Sequence, residues 1–199
     1  IGGPARVTDG AGGTDGSRGE PSLPQKVVAI HRCLQQVEHS FGGALALAYY
    51  AEPRATHDID LNLFVGADRA VAVMDSLGAV GVEADGPAVE RLVRDGQGRV
   101  WFGRTPIDLF FAYDPFHDAA RAGSRPVPFL DTEIPILSAT HLTVCKAVFD
   151  RPKDWVDIDA MLALDAPIDA GEALRWVGRI AGDADRRFDR LAAVLSTPR

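Results

Sequence analysis

The sequence predicts a mixed α/β (α+β) fold, in which helices flank a sheet and a helical C-terminal part follows. Two short apolar runs that contain acidic residues, at 57–65 and 107–113, have the alternation typical of strands. Segments with helical spacing lie between them, and the chain after residue 138 has helical patterns throughout. Because 199 residues suggest one domain, we divide the chain into a flexible leader (1–24), an α/β core (25–137) and a helical C-terminal subdomain (138–199).

The first half of the chain is expected to alternate helices and strands. Residues 1–24 contain seven Gly and three Pro, so burial cannot repay the entropy of ordering them. Apolar residues at helical spacing predict a first helix over 25–38. The later elements are a short strand or turn in "EHSFGG", a helix in "GALALAYYAE" that Pro53 ends, the strand "HDIDLNLFV", and the helix "ADRAVAVMDSLG".

The second half is expected to contain hairpins and then helices. "VERLVRDGQGRVWF" predicts two strands around a glycine-rich turn, and "GRTP" predicts a turn before the strand "IDLFFAY". Residues 116–137 are expected to be mostly connection, with one short strand near 127–130. Ser138 is expected to cap one helix and Pro152 to begin the next, and "GEALRWVGRI" and "DADRRFDRLAAVL" predict two more.

Composition limits the classes of function. A net charge of −7 argues against a protein that coats nucleic acid through a general basic surface. Cys33 and Cys145 lack CxxC spacing and are expected to be buried, reduced thiols of a cytoplasmic protein. The sequence has no run of membrane-spanning length and no secretory signal pattern, so no membrane partner is expected. Trp101, Trp155 and Trp176 are most simply residues of the core.

Three acidic residues lie in the strand-like runs. Asp58 and Asp60 flank Ile59, so in a strand both carboxylates project from one face. Like charges at this spacing are unfavourable unless a cation compensates them. Asp108 in "PIDLFF" has the same setting, and three carboxylates on neighbouring strands would suit Mg²⁺, with two ions expected. The Gly42–Gly43 pair would let a phosphate approach the backbone. The alternative is that the aspartates form the solvent face of an edge strand.

The combination of these motifs resembles a known family. "FGG…PRATHDIDL" resembles the signature of the DNA polymerase β-type nucleotidyltransferase superfamily, with a closer resemblance to the AbiEii toxins, including those of MenT type. In those toxins an Arg, a Ser or Thr and the D-x-D pair run together, as Arg54, Thr56, Asp58 and Asp60 do here. A helical Lys followed by R-x-K-D-x-x-D is matched by Lys146, Arg151, Lys153, Asp154 and Asp157, so the resemblance covers roughly residues 38–160.

The resemblance implies a nucleotidyltransferase-fold sheet and a toxin of a toxin–antitoxin pair. Such an enzyme would use Mg²⁺ to move a nucleoside monophosphate from an NTP onto the 3′ end of tRNA and so block translation. A cognate antitoxin protein would be its partner. Residues 25–137 would then be the nucleotidyltransferase core.

The resemblance also implies roles for individual residues. Asp58 and Asp60 would hold Mg²⁺ and the triphosphate, and Asp108 would complete the second metal site or act as base. Asp157 would belong to the active site and orient Lys146 or Arg151. The nucleotide would be bound by Ser40, Gly42, Gly43, Arg54, Thr56, Lys146 and Arg151. A phosphate on Thr56 would compete for the metal and silence the enzyme.

Plainer interpretations of these residues remain. Lys146 lies among apolar residues and would snorkel without a functional role. Asp154 and Asp157 would only stabilise a helix N-terminus, and Arg54 would be an ordinary surface charge. A small-molecule nucleotidyltransferase of the antibiotic-modifying kind, or a catalytically dead antitoxin-binding or RNA-binding module, are the alternative functions. The expected RNA surface consists of Arg151, Lys153 and the local excess of Arg at Arg175, Arg179, Arg186, Arg187 and Arg190. The alternative for any one of the C-terminal arginines is that it only balances Asp183, Asp185 or Asp189.

Overall fold

The computed structural model describes residues 20–197 as a seven-stranded sheet with helices packed around it. The strands are β1 (His39–Phe41), β2 (Ile59–Leu63), β3 (Val82–Glu83), β4 (Gln97–Phe102), β5 (Thr105–Phe111), β6 (Arg125–Phe129) and β7 (Thr132–Ile136). The helices are α1 (Leu23–Cys33), α2 (Gly43–Leu47), α3 (Ala70–Gly78), α4 (Gly86–Asp95), α5 (Pro115–Gly123), α6 (Ala139–Phe149), α7 (Pro152–Ala163), α8 (Ala170–Ala181) and α9 (Arg186–Leu195). A 3₁₀ turn, Ala67–Arg69, precedes α3.

The sheet is mixed, and its two parallel pairs lie at the centre. The strand order is β3-β4-β5-β2-β1-β7-β6. Strands β2 and β5 are parallel, as are β1 and β7, whereas the remaining neighbours are antiparallel. The expected α/β class, with a sheet flanked by helices, is therefore confirmed.

The two faces of the central strands differ in chemistry. Ile59, Leu61 and Leu63 of β2 have no exposed surface, and the alternating residues Asp60 and Asn62 project from the opposite face. Strand β5 repeats the pattern, because Ile107, Leu109 and Phe111 are fully buried while Asp108 and Phe110 are only partly buried. One face thus contributes to the hydrophobic core, and the other presents carboxylates. We call the second one the acidic face.

The predicted strand at the start of "VERLVRDGQGRVWF" is wrong, because residues 86–95 form helix α4. Asp85 caps this helix by accepting a hydrogen bond from the backbone N–H of Ala88, and Gly96 ends it in the left-handed conformation with φ of 67°. Buried Ala88 and Leu92 lie one helical turn apart. The capping residues at each end, rather than the apolar pattern, are the signals of the helix.

The region expected to be mostly connection is also more regular than predicted. Helix α5 occupies residues 115–123, and β6 and β7 form an antiparallel hairpin over residues 125–136. Proline at 126 and 128 obscured the hairpin in the sequence. Strand β6 tolerates both prolines because it is an edge strand, paired with β7 alone.

The described residues begin at Glu20, inside the segment that was expected to be a flexible leader. Residues 1–19 of that leader lie outside the described residues. Helix α1 begins at Leu23, two residues earlier than expected, and ends at Cys33 rather than near residue 38. Glu20 accepts hydrogen bonds from the Lys26 ammonium and from the backbone N–H of Arg104. The last residues assigned to the leader are therefore tied to the β4–β5 turn.

The C-terminal part is helical as expected. The Ser138 hydroxyl caps α6 by accepting from the backbone N–H of His141, and Pro152 begins α7. Trp155 belongs to the core, but Trp101 does not, because it lies on β4 with 47% of its surface exposed. Cys33 and Cys145 are unpaired and keep partial exposure, so the expectation of full burial was wrong. Within residues 20–197, none of the helices combines the length and the apolarity that crossing a bilayer requires.

Candidate active site

Two carboxylates of the acidic face lie directly side by side. The parallel pairing of β2 with β5 places Asp60 opposite Asp108, and Ile59 opposite Ile107 on the buried face. The negative charges of Asp58 and Asp108 both act on Asp60. The predicted convergence of the three carboxylates is therefore present at the centre of the sheet rather than on an edge strand.

The pKa of Asp60 shows how unfavourable this arrangement is without a cation. Burial is the largest cause that raises its pKa, and the charges of Asp58 and Asp108 raise it further. The cations Lys146 and Arg151 lower it only in part, and the result is a pKa of about 6. A carboxyl group with this pKa is stabilised by any cation that binds beside it.

Asp58 precedes β2 and is held differently. Burial raises its pKa, but a hydrogen bond from the Thr56 hydroxyl and the charges of Lys153 and Arg99 lower it, with a net shift downward. Thr56 thus donates directly to the Asp58 carboxylate. The sequence predicted that Thr56 adjoins the acidic pair, and the structure gives the contact.

The glycine pair lies against Asp60. The backbone N–H of Gly42 donates to the carbonyl oxygen of Asp60 at 2.9 Å, which fixes the start of α2 beside β2. Gly43 has a φ of +52°, and a Cβ there would lie 1.7 Å from Asp60 Oδ2. Only glycine permits this approach. Helix α2 has five residues, half of the length expected. The role of Gly43 is therefore to leave room beside Asp60, and it does not depend on a helix dipole.

A buried ion network connects α6, α7 and the segment before β2. Lys146 Nζ lies 2.6 Å from Asp157 Oδ2, and both side chains are about 95% buried. Arg54 donates to both oxygens of Asp157 at 3.0 Å. Burial raises the pKa of Asp157, but the hydrogen bonds from Arg54 and Lys146 outweigh it and lower the pKa overall. Lys146 therefore does not snorkel to solvent, and Arg54 is not an isolated surface charge.

Asp157 was expected to orient either Lys146 or Arg151, and it contacts Lys146. Arg151 has a different partner. Arg151 Nε and Nη2 bind the two oxygens of Asp154 at 2.6 Å and 3.1 Å. Asp154 also accepts from the backbone N–H of Arg151, so it begins α7 as a capping residue. The charges of Arg151 and Lys146 reach Asp60. The basic residues of the second motif thus surround the acidic pair of the first.

Arg99 is a site residue that the sequence did not reveal. Its Nε and Nη2 atoms each lie 2.7 Å from one oxygen of Asp108, in a bidentate pair across the antiparallel β4–β5 ladder. The pairing of β4 with β5 places Arg99 opposite Asp108, and this strand register was not predicted from the sequence. The one available signal was the alternation of Arg99 and Trp101 with buried Val100 and Phe102.

Two other expected contacts differ in the structure. Ser40 is fully buried and its hydroxyl donates to Ser124, so a phosphate would have to displace that hydrogen bond to reach it. Three of the five C-terminal arginines have acidic partners, because Arg186 and Arg190 contact Asp150 while Arg187 contacts Asp185. This pairing reduces the local positive excess on which the RNA surface was predicted.

A cavity of about 320 Å³ opens beside Asp60. Its lining includes Gly42, Gly43, Asp60, Lys146, Arg151 and Asp154 together with the polar residues Asn62, Gln97 and His117, and Phe110, Tyr113 and Phe149 contribute an aromatic wall. The rings of Phe110 and Phe149 meet edge to face with centroids 5.8 Å apart. Asp58, Asp108 and Arg99 are not part of the lining. The acidic centre therefore has an enclosed side and an open side.

The carboxylates suit Mg²⁺ by their chemistry, but their present orientation does not form a cage. Within residues 20–197, no group of three or more His, Cys, Asp and Glu side chains is arranged to hold a metal ion. Asp58 is turned to Thr56 and Asp108 to Arg99. The donor set still fits a hard cation, because all three groups offer carboxylate oxygens and the raised pKa of Asp60 records a repulsion that a cation relieves.

A first prediction concerns the stability of the metal-free protein. Folded Asp60 keeps its proton up to about pH 6, whereas the unfolded chain releases it near pH 4. Between these values wild-type stability falls as pH rises, because the folded state binds more protons. Asp60→Asn should therefore stabilise the protein by about 3 kcal/mol above pH 7 and by nothing below pH 4. Urea denaturation in EDTA across this pH range measures the gap, and a mutant less stable at pH 8 would contradict the assignment.

A second prediction concerns the ion network. Asp157→Asn removes the carboxylate that lies 2.6 Å from the buried Lys146 ammonium and leaves that charge with Asp154, 4.0 Å away. The mutation should destabilise the protein by about 3 kcal/mol in urea denaturation. Lys146→Met added to Asp157→Asn should restore part of the loss. The control is Asp95→Asn, which breaks the solvent-exposed pair with Arg94 and should leave the midpoint near that of the wild type. Equal effects of Asp157→Asn and Asp95→Asn would show that the network is not a buried one.

Comparison with known proteins supports the fold and nothing finer. No protein-family model matches the sequence, and no curated protein matches it significantly. The solution structure of the antibiotic-resistance factor ANT(2″)-Ia is similar, with a TM-score of 0.56 at 13% identity over 86% of this chain and 94% of that chain.

Two further structures are more distant. Lincomycin-bound LnuA, a lincosamide antibiotic adenylyltransferase, has a TM-score of 0.48 at 12% identity over 70% of this chain and 96% of that chain. A tRNA nucleotidyltransferase with a primer tRNA and an incoming ATP analogue has 0.31 at 9% identity, over 83% of this chain and 59% of that chain. At such identities the likeness concerns the fold alone, and the fold that this chain shares is that of ANT(2″)-Ia.

Proposed function

We propose that this protein is a Mg²⁺-dependent nucleotidyltransferase that moves a nucleoside monophosphate from an NTP onto the 3′ end of an RNA, with tRNA as the expected acceptor. One observation carries the proposal: Asp60 and Asp108 lie in register on adjacent parallel strands, next to a cavity that Gly43 and Lys146 line. An acidic pair that is costly for the free protein is explained if its ligand is a cation bound together with a triphosphate.

The cavity suits the NTP. Its volume of about 320 Å³ is within the usual range for small-molecule sites. Lys146 and Arg151 at one side offer positive charge to the phosphates, and Gly43 leaves room for them beside Asp60. The aromatic wall of Phe110, Tyr113 and Phe149 offers a stacking surface to the base.

The transfer itself needs a base and a leaving group. The oxygen of the acceptor hydroxyl attacks the α-phosphorus, the bond to pyrophosphate breaks, and the hydroxyl proton passes to Asp108 or to water. Mg²⁺ held by Asp58, Asp60 and Asp108 would supply charge stabilisation for the reacting phosphate. Arg99 orients Asp108 through its bidentate pair and keeps a positive charge beside the reacting groups.

The charges around the site do not call for a polycationic antibiotic as the acceptor. Five carboxylates are matched by five cationic side chains, namely Arg54, Arg99, Lys146, Arg151 and Lys153 facing Asp58, Asp60, Asp108, Asp154 and Asp157. Two Mg²⁺ would only balance the roughly four negative charges of a bound NTP, so the loaded site has no excess of negative charge. A polyamine-like acceptor therefore gains no net attraction, and an acceptor made of phosphates is not repelled.

The cellular role that fits this chemistry is that of a toxin controlled by an antitoxin protein. Support comes from the joint motif of Arg54, Thr56 and the acidic pair with the Lys146–Asp157 segment, which the structure brings into one site. Transfer to tRNA 3′ ends would prevent aminoacylation and stop growth. Induced expression should therefore inhibit growth, and coexpression of the antitoxin should relieve it.

A third prediction tests the reaction. Wild-type protein incubated with Mg²⁺, each labelled NTP in turn and total RNA should label an RNA species. Asp58→Ala and Asp60→Ala should reduce labelling by at least a thousandfold, because each removes a metal ligand. Asp108→Asn should reduce turnover far more than NTP affinity. The control is Asp131→Asn, which alters an exposed pair with Arg32, and neither of these residues lines the cavity.

The same assay separates the rival functions. Labelling of small hydroxyl compounds in place of RNA would identify a small-molecule nucleotidyltransferase. Absence of Mg²⁺-dependent NTP binding would identify a module without catalytic activity. Wild-type rates in both Asp58→Ala and Asp60→Ala would place the chemistry elsewhere in the molecule.

A fourth prediction concerns control through Thr56. Its hydroxyl donates to Asp58, so a phosphate there would replace a hydrogen-bond donor with nearly two negative charges beside a metal ligand. Protein homogeneously phosphorylated on Thr56 should lose Mg²⁺-dependent NTP binding and labelling activity. Thr56→Val removes the hydroxyl without adding charge and should keep most of the activity. Full activity of the phosphorylated protein would exclude this form of control.

A further inference from the structure

Strand β4 presents an exposed aromatic side chain on the same face as the proposed catalytic carboxylates. Arg99 projects from the acidic face, because it pairs with Asp108. Side chains two residues apart in a strand share a face, so Trp101 lies on that face about 7 Å further along β4. The alternating residues Val100 and Phe102 are buried on the other face. Trp101 and Arg99 thus form one continuous surface beside Asp108.

This surface lies on the open side of the site. Strand register places Trp101 opposite Pro106 and Arg99 opposite Asp108, while Phe110 of the same strand lines the cavity on the far side of Asp108. If the NTP fills the cavity, the acceptor must reach Asp108 from the direction of Arg99 and Trp101. Trp101 has 47% of its surface exposed at this position, so part of its indole is available to a ligand.

The chemistry of the two residues suits a nucleotide. An exposed indole stacks on any nucleic-acid base. Arg99 uses Nε and Nη2 for Asp108, and among residues 20–197 its Nη1 donates to no partner, so it remains able to bind a phosphate oxygen. Lys153, whose charge lowers the pKa of Asp58, adds a second cation at this side. A polar, non-aromatic acceptor would contact neither the indole ring of Trp101 nor the guanidinium N–H donors of Arg99.

We propose that Trp101 and Arg99 form the acceptor platform of the enzyme, on which the single-stranded 3′ end of an RNA lies with a base stacked on Trp101 and a phosphate bound by Arg99. The platform deepens the proposed function and depends on it for the identity of the acceptor. It also replaces Arg186, Arg187 and Arg190 as the principal RNA contact, since those three arginines already pair with Asp150 and Asp185.

The fifth prediction tests the platform by equilibrium binding. A short single-stranded oligoribonucleotide with a free 3′ hydroxyl should quench part of the tryptophan fluorescence. Trp101→Phe should abolish the quenching, whereas Trp176→Phe, which alters a partly buried indole packed on Phe116, should keep it. Trp101→Ala should weaken oligonucleotide binding by about tenfold, and Trp101→Phe by less. The affinity for NTP should stay the same in both.

Arg99 and a remote surface residue complete the test. Arg99→Gln should flatten the dependence of log Kd on log salt by at most about one unit, as expected for one lost phosphate contact. Leu130→Ala changes an apolar residue that is 67% exposed at the β6–β7 turn and should bind RNA like the wild type. Unfolding midpoints confirm that each variant is folded.

The outcomes separate the platform from the enzyme activity. Unchanged oligonucleotide affinity in Trp101→Ala, or an equal loss of NTP affinity, would overturn the platform. If wild-type protein binds NTP and labels small hydroxyl compounds but binds no oligonucleotide, the platform is wrong while nucleotidyl transfer stands. If no acceptor is labelled but Trp101→Ala still weakens RNA binding, the platform stands and the proposed reaction falls.

Discussion

The structure of the site depends on one unfavourable interaction, the repulsion among Asp58, Asp60 and Asp108 at the centre of the sheet. Parallel pairing of β2 and β5 fixes Asp60 beside Asp108. Neither residue can move away without breaking the hydrogen bonds between these strands, which also hold Ile59 and Ile107 in the core. Burial is the largest cause of the raised pKa of Asp60, and the charges of Asp58 and Asp108 raise it further. The neighbouring cations and glycines make sense as adaptations to this repulsion, because each adds opposing charge or makes room beside Asp60.

Those compensating groups divide into an enclosed set and an open set. Lys146 is held beneath the cavity by Asp157, so its charge is fixed before any ligand arrives. Arg99 is about half exposed and holds Asp108 from the solvent side. A site that binds two anionic substrates in a fixed order benefits from such a division, because the charge for the first is preorganised and the charge for the second stays accessible.

The sequence revealed the parts of the site that follow from local spacing. Alternation predicted that Asp58, Asp60 and Asp108 share a face, and the pairing of β2 with β5 places Asp60 beside Asp108. The resemblance left open whether Asp157 orients Lys146 or Arg151, and the contact present is with Lys146. The roles of Arg99 and Trp101 were not predicted, because they depend on the pairing between strands. The segment that forms helix α4 was predicted to be the strand before the turn. Capping residues such as Asp85 and Gly96 were better guides there than apolar spacing.

A structural role alone does not explain the acidic centre. If Asp58, Asp60 and Asp108 served only the fold, neutral residues at these positions would remove the repulsion and increase stability. The protein instead keeps a carboxyl group with a pKa near 6, and places Gly43 against it where a Cβ would lie 1.7 Å from an oxygen. Both features reduce stability in the free chain, since glycine also raises the entropy lost on folding. Asp60 and Gly43 thus each lower the stability of the free protein, next to a cavity lined by Lys146 and Arg151. This pattern is expected where binding of a cation and an anionic ligand restores the lost stability.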